Sequence, residues 1–583
     1  MKKILLIKVP TFEYPDDVET TNASEQATFS WVLSLAMACI VGFMKRYFTG
    51  EYSLKQFDMN GVAAGKAGSL NEVGRMAIDE AAKVISETDF DVFAVSVQFL
   101  FSQQYADDII ELAKRKNPAC KVIVGGGFAT IFPDKSINKQ NVDYSVIGEG
   151  EHTFVHILNK IWGIDDPEFA EKWPFDGYAE KLDDGNVVIV PKGMFLNNLE
   201  DLPQPFWNPE EHRKLSKVNP RASIPVMASR GCPMGCSFCS THLAWGKKVR
   251  FRPAAQVVNE VMTTYKQYGF KHFDFVDDNI TFQNDWFVDF CEKMSHVQPE
   301  DLNITFSNFD MRFLNESVLQ GLKKIRVQSV TIATEAGSKE MQRQISKKLN
   351  LDRVRQIVKD IHAEGLYVHN CFIVGFPNET LAQMRETVAF ARELRTESIQ
   401  IWPAFPYPGT RLYDEAKALG FVTYDEEDYG SLKYRKGGIK SSEWNVEDVK
   451  AIAYDANIEL NFLATPFFDT ESGREILKNK SMSVATNITD HAVANIVSGF
   501  LYGEFDLNED KQNHFYNKAL SILLEKDCLF KRYMHMDYPT LNHFRNWMEI
   551  NKPGSYDLVF DFIETDADRA QLAQVITASQ SGV

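Results

Sequence analysis

Histidine is missing from the first 151 residues of this 583-residue chain, which excludes an imidazole ligand from whatever that part binds. Cysteine is sparse: the chain has 8, and Cys39, Cys120, Cys291, Cys371 and Cys528 are scattered. Scattered thiols in a long chain exclude a disulfide framework and fit a reduced compartment. Positive charge is in deficit, with 63 Lys and Arg against 80 Asp and Glu and a formal net charge of -17. No overall basic footprint remains for a polyanion, so a nucleic-acid substrate is disfavoured. Long apolar runs are missing too. The longest, residues 31–44, spans about 14 positions, short of the ~20 a membrane crossing needs, and reads as a buried helix. The start carries Lys2 and Lys3, but its apolar stretch is interrupted at Lys8 and stopped by Pro10, too short for a signal peptide. The expectation is a cytoplasmic protein with no membrane span. What remains is an ordinary apolar fraction, 44%, in a chain long enough for about three domains of roughly 100–200 residues.

The remaining three cysteines stand together. Residues 231–239 read Gly-Cys-Pro-Met-Gly-Cys-Ser-Phe-Cys, placing Cys232, Cys236 and Cys239 in a C-x3-C-x2-C loop after the apolar run 224–228. Iron-sulfur clusters normally take four thiolates and structural zinc takes four ligands, so three thiols leave one metal corner free. A zinc knuckle completed by His242 is the alternative reading. The spacing, with aromatic Phe238 before the third cysteine, resembles the radical S-adenosylmethionine superfamily. The resemblance implies a 4Fe-4S cluster on the three cysteines, an open iron that chelates S-adenosylmethionine, and a 5'-deoxyadenosyl radical formed after one-electron reduction. An electron donor such as flavodoxin or ferredoxin is implied with it.

Residues 1–161 alternate short β-type runs, at 4–9, 52–57, 92–97, 122–124 and 144–147, with longer helical ones. This pattern predicts a doubly wound, Rossmann-like parallel sheet, whose ligands sit beyond the strand carboxyl ends. Two Gly-rich loops fall at that edge, one at 125–130 and one at 148–151. Val-Gly-Gly-Gly-Phe-Ala-Thr, Pro133 and Val-Asp-Tyr-Ser-Val-Ile-Gly-Glu-Gly-Glu together resemble the cobalamin-binding domain that precedes many radical S-adenosylmethionine cores. The resemblance places Ser96, Val97, Gln98, Gly125, Gly126, Gly127, Phe128, Thr130, Gly148, Glu149 and Gly150 near the corrin. With no Asp-x-His-x-x-Gly loop, it implies a base-off cobalamin whose lower face is weakly held or vacant.

Residues 162–218 mix charge, Pro and Gly and read as a linker with one hairpin at Asp183-Asp184-Gly185. In residues 219–425, strand signals at 225–229, 273–276, 304–307, 329–334, 367–374 and 399–404 alternate with helices such as 254–268 and 351–364. This predicts a partial (β/α)6 barrel of the TIM type, with functional groups at the strand carboxyl ends. There the resemblance implies cofactor contacts from Asp277 and Asp278 toward the methionyl amine, from Ser307 and Asn308 toward the ribose, and from Glu335. Residues 373–380 and 406–410 read as architecture at the barrel mouth, with Phe405 and Tyr407 on the substrate side, and His369 and Cys371 read as core. Residues 426–583 form a helical C-terminal region, with stretches at 446–462, 491–501 and 514–524, serving as a buttress or a lid.

The resemblance covers roughly residues 1–425 and implies a C-methyltransferase acting on an unactivated carbon through the adenosyl radical and methylcobalamin. The acidic balance favours a small molecule or peptide as substrate over RNA. A radical cyclase or rearrangement enzyme on the same scaffold, and a cobalamin-binding sensor or partner protein without turnover, stay open as alternatives.

Overall fold

The computed structural model describes residues 1–12, 14, 26–28, 32–63, 67–193, 195–218, 222–425, 437–458 and 460. Its first sheet holds seven strands: β1 (Lys2–Lys8), β2 (Tyr52–Asp58), β3 (Val92–Val97), β4 (Lys121–Gly126), β5 (Tyr144–Val146), β6 (Tyr178–Lys181) and β7 (Val187–Val190). They run in the order β2-β1-β3-β4-β5-β6-β7, the first five parallel and the last two antiparallel. Ile4, Leu5, Leu6 and Ile7 of β1 are all buried, as a parallel strand covered on both faces requires. One face packs on helices α1 (Leu35–Tyr47) and α4 (Glu151–Trp162), the other on α2 (Leu70–Glu87) and α3 (Gln103–Lys116). The sheet is doubly wound, as its alternating pattern predicts.

The segment 162–218, expected as a linker, is more than that. Its hairpin forms at the anticipated turn, where Gly185 takes φ +84 and Asp184 Oδ1 accepts the Asn186 N–H at 2.9 Å. Its two strands extend the first sheet beyond β5. Of the stretch 31–44, read as a buried helix, residues 35–44 lie in α1, which is capped by Ser34 and carries Lys45 and Arg46 in its last turn.

Six further parallel strands follow in chain order: β8 (Ile224–Val226), β9 (His272–Phe275), β10 (Asn303–Phe306), β11 (Ser329–Glu335), β12 (Tyr367–Val374) and β13 (Ser398–Pro403). They pair as β8-β9-β10 and β11-β12-β13, and a parallel bridge between Phe309 and Ile332 joins the two halves. Among the described residues no pairing closes β13 back on β8, so the barrel is open. The edge of β13 is covered by helix α5 (Val446–Ile458), where Asn457 accepts the Ile401 N–H and donates to the Ile401 carbonyl, both at 2.8 Å. A side-chain amide thereby satisfies backbone groups that an edge strand leaves open. The motif at 373–380 is a built turn: Gly375 has φ +90, and Glu379 accepts the N–H groups of Gly375 and Phe376 at 2.6 and 3.1 Å. Burial pushes the Glu379 carboxyl up to about 7. The helical stretches at 491–501 and 514–524 lie outside the described residues. Among those described, no helix is long and apolar enough to cross a membrane.

Candidate functional site between sheet and barrel

A cavity of about 1030 Å³ lies over the carboxyl edge of the first sheet and against the barrel mouth, at the upper limit of ordinary ligand sites of about 300–1,000 Å³. Leu6, Ala94, Ile123 and Val146 of β1, β3, β4 and β5 give it an apolar floor, and Met227, Phe238, Trp245, Ile373, Trp402 and Phe405 face them. Ser96, Gln98, Gly125, Gly126, Gly127, Thr130, Gly148, Glu149 and Gly150 line it, as does Tyr407. Val97 and Phe128, expected beside them, do not. Both side chains are wholly buried in the core on the opposite face of the sheet, Val97 because alternate strand residues face opposite ways and Phe128 from the short helix Gly127–Ile131. Thr130 ties the two Gly-rich loops together by accepting the Gly148 N–H at 3.0 Å. Gly126 has φ +104, and a Cβ there would stand 2.3 Å from the Val97 carbonyl oxygen, whereas a Cβ on Gly125 would meet only Val146, at 3.6 Å. Gly126 therefore serves the loop's fit against β3, and Gly125 leaves room in the cavity. His152, the first histidine of the chain, is buried and held by Lys192 at 2.9 Å.

Besides lining the cavity, Glu149 is the centre of a buried charge network. It is 1% exposed, accepts the Leu196 N–H at 2.7 Å, and pairs with Arg250 at 2.8 Å and Arg230 at 3.4 Å. Arg230 also donates to Glu151 and lies 4.8 Å from the centre of the Trp245 ring. Burial opposes the Arg230 charge, and Glu151 and Glu149 outweigh it. Burial likewise opposes ionisation of Glu151, and Arg230 holds its carboxyl below the usual range. The second Gly-rich loop is thus joined to the segment that enters the cysteine loop by a buried charge network. Arg230, Arg250 and Glu151 went unpredicted. The signal available was Arg230 standing next to Gly231, but pairing across about 80 residues leaves no local periodicity.

The cysteine loop leaves β8 through Gly231, whose φ is +92 and whose Cβ would lie 2.3 Å from the Lys248 carbonyl oxygen. It is pinned by Ser237, whose N–H reaches the Ile345 carbonyl at 2.9 Å and whose own carbonyl accepts the Leu412 N–H at 2.9 Å. Cys232, Cys236 and Cys239 are each partly exposed. Cys239 donates to Thr241 Oγ1 at 3.2 Å, and Thr241 donates to Asp278 at 2.8 Å. Burial pushes the Cys232 thiol up to about 11; it raises Cys236 too, against the opposing charges of Lys347 and Arg312. Among the described residues, no three His, Cys, Asp or Glu side chains are grouped to hold a metal ion, a finding that bears equally on a cluster and on the zinc knuckle with His242. With one thiolate per iron, the donor set here, three thiols on one short loop, serves three irons of a four-iron cluster and leaves the fourth without a thiolate.

The acids at the strand ends divide in role. Asp277 is buried and accepts the N–H groups of Ala228 and Ser229 and the Ser229 hydroxyl, with burial pushing it up to about 7. It clamps the end of β8 rather than offering a free carboxylate. Asp278 is directed to the cysteine loop. Ser307 is exposed and donates to Asp274 at 2.7 Å, and Asn308 beside it is half-buried. Glu335 sits at a break in the β11–β12 register with φ +67 and pairs with buried Lys347 at 3.1 Å. Lys347, whose charge also acts on Cys236, was not anticipated, because it enters from the loop beyond Gln344 and matches no motif.

Two family models match: the radical SAM superfamily over residues 226–391 and the B12 binding domain over residues 71–158. The protein thus carries a radical S-adenosylmethionine domain preceded by a B12-binding domain, and it is an enzyme whose cofactors are a 4Fe-4S cluster, S-adenosylmethionine and cobalamin. It is 27% identical over 423 residues to cytidylyl-2-hydroxyethylphosphonate methyltransferase of Streptomyces wedmorensis, covering 66% of this chain and 77% of that one. It is 28% identical over 318 residues to anaerobic magnesium-protoporphyrin IX monomethyl ester cyclase of Rubrivivax gelatinosus, covering 53% and 56%. Its fold is shared with the cobalamin-dependent S-adenosylmethionine radical enzyme OxsB with aqua-cobalamin and S-adenosylmethionine bound, at a TM-score of 0.56 and 13% identity, over 100% of this chain and 84% of that one.

The two glycines give a paired prediction. Gly125→Val should weaken cobalamin binding by roughly tenfold, the scale of 1–3 kcal/mol for forcing a side chain into occupied space, with little change in Tm. Gly126→Leu should lower Tm itself, since a side chain in this glycine-only backbone region costs about 1–3 kcal/mol and the Val97 carbonyl blocks it. Corrinoid titration and thermal unfolding check both. Equal loss of Tm in the two variants would contradict the assignment.

Proposed function

We propose that this enzyme transfers a methyl group to an unactivated carbon of a small molecule or peptide. The observation that carries the reading is the single chamber, in which the Gly-rich loops of the first sheet face Phe238 of the cysteine loop and the mouth of the barrel. When bound, the cluster with S-adenosylmethionine supplies hydrogen-atom abstraction, and methylcobalamin supplies the methyl group. In this reading Cys232, Cys236 and Cys239 each hold one iron. Asp278 holds Thr241 beside Cys239, and the Lys347–Glu335 pair sets the charge beside Cys236. Ser307 and Asn308 meet the cofactor at the barrel mouth, and Asp277 holds the strand end from which the loop departs. Ser96, Gln98, the Gly125–Gly127 run, Thr130, Gly148 and Gly150 cradle the corrin. Trp245, Trp402, Phe405 and Tyr407 exclude water and enclose the substrate. A low-potential donor such as flavodoxin or ferredoxin supplies the electron.

The 27% relative that methylates a phosphonate supports methyl transfer; the 28% relative that is a cyclase supports ring formation as the second reading. Anaerobic turnover with candidate substrates separates them. Methyl transfer should yield S-adenosylhomocysteine and 5'-deoxyadenosine in about equal amounts, one for each role of S-adenosylmethionine. Abundant 5'-deoxyadenosine without S-adenosylhomocysteine, in the presence of the true substrate, would overturn methyl transfer in favour of cyclisation or rearrangement.

A further inference from the structure

The first sheet changes direction at β1, with β2 on one side and β3 on the other. Open parallel sheets bind ligands in the crevice beyond the strand carboxyl ends at such a switch point. Lys8 is the last residue of β1, in register with Asp58 of β2 and Ser96 of β3, and it lines the cavity on the same face as Leu6. Its side chain is only 7% exposed, yet among the described residues its ammonium has no hydrogen-bond acceptor. The carboxylate nearest it, Asp58, stands 4.0 Å away. Asp58 is no part of the cavity wall; its Oδ1 accepts the Asn60 N–H and Nδ2 at 3.0 and 2.7 Å, and its Oδ2 is the oxygen paired with Lys8, at ion-pair rather than hydrogen-bond distance. Glu211 lies behind it, accepting the Asp58 N–H at 2.9 Å. A buried ammonium without close acceptors is costly unless a ligand supplies them.

A second feature points the same way. The N-terminus of α1, a helix of 13 residues, opens on this cavity through Leu33, Ser34, Leu35 and Ala36, and a helix N-terminus carries partial positive charge and unsatisfied N–H groups. Thr11, bonded to Asn60 at 2.8 and 2.9 Å, completes a polar rim above the apolar floor.

Resting on the corrinoid reading of the cavity, we infer that Lys8 and the start of α1 form a phosphate-ester site, and that its occupant is the phosphodiester of the corrinoid's nucleotide tail. A phosphorylated substrate offers the same chemistry, and the test separates the two sources. Cobalamin and cobinamide, which keeps the corrin but lacks the phosphodiester and its base, are titrated onto wild type, Lys8→Met and Lys8→Arg. Lys8→Met should weaken cobalamin binding by roughly ten- to a hundredfold, the range of a charged hydrogen bond, and leave cobinamide binding unchanged, which also shows that the variant is folded. Lys8→Arg should keep most of the affinity. Inorganic phosphate should compete with cobalamin on wild type. If both corrinoids bind Lys8→Met normally while inorganic phosphate binds cobalamin-loaded wild type and not the variant, the anion site stands and the corrinoid tail is overturned as its occupant. Equal loss of both corrinoids, or no effect of the substitution on corrinoid or phosphate, overturns the site. A wild-type protein that bound neither corrinoid would overturn the reading of the cavity itself.

Discussion

Replacing Cys232, Cys236 and Cys239 together by Ala is expected to abolish the 4Fe-4S cluster and with it all radical chemistry. The loop provides the three thiols and little else that could substitute for them. Burial raises the Cys232 and Cys236 thiols above their ordinary values, so each must lose its proton as iron binds, and assembly is linked to proton release. At Cys236 the charges of Lys347 and Arg312 favour the thiolate against that burial. Cys371 and Cys39 provide the control. Both are separate from the loop, and Cys371 lies on β12 within 3.5 Å of the His369 ring, so Cys371→Ala and Cys39→Ala should retain the cluster. Anaerobic reconstitution followed by iron and sulfide analysis checks the set, and a full cluster in the triple variant would falsify the ligand assignment.

What the sequence made legible follows from how locally each feature is encoded. The parallel strands β1 to β5 and β8 to β13 stand out because fully buried strands are written as short apolar runs between helical periods. The cysteine loop and the Gly-rich loops are contiguous and survive any error in topology. The strands β6 and β7 were less visible: Val187 to Val190 lie at the sheet edge and are half-buried or exposed, so their apolar character does not separate them from a loop. The ion pairs of Glu149 were not legible, because a Gly-rich loop at a strand end signals a ligand, and only the folded chain brings Arg230 and Arg250 against it. Lys8 carried no signal at all. In sequence it interrupts an apolar run, and its placement at the switch point depends on the order of β2, β1 and β3.

Arg230→Met is expected to destabilise the protein by about 3–5 kcal/mol, the cost of breaking a buried ion pair by removing one partner. The size follows from what is left behind. Glu149 keeps Arg250 at 2.8 Å, but Glu151, 5% exposed, loses the guanidinium that holds it ionised. A loss of that size lowers Tm by on the order of 10 °C in a domain of this length. Combining Arg230→Met with Glu151→Gln removes the orphaned charge, so the double variant should recover part of the loss, and the cycle should return a coupling of roughly 0.5–3 kcal/mol. Lys at position 230 should fall between, since an ammonium cannot reach both carboxylates as the planar guanidinium does. Arg230 immediately precedes Gly231 and Cys232, so releasing it also frees the entry to the cysteine loop, and the variant should lose iron faster than wild type below its unfolding temperature. Calorimetry of the cluster-free protein isolates the stability effect, and iron release measured in parallel isolates the effect on the loop. Unchanged Tm with unchanged iron retention would show that the network holds neither the sheet loop nor the cysteine loop in place.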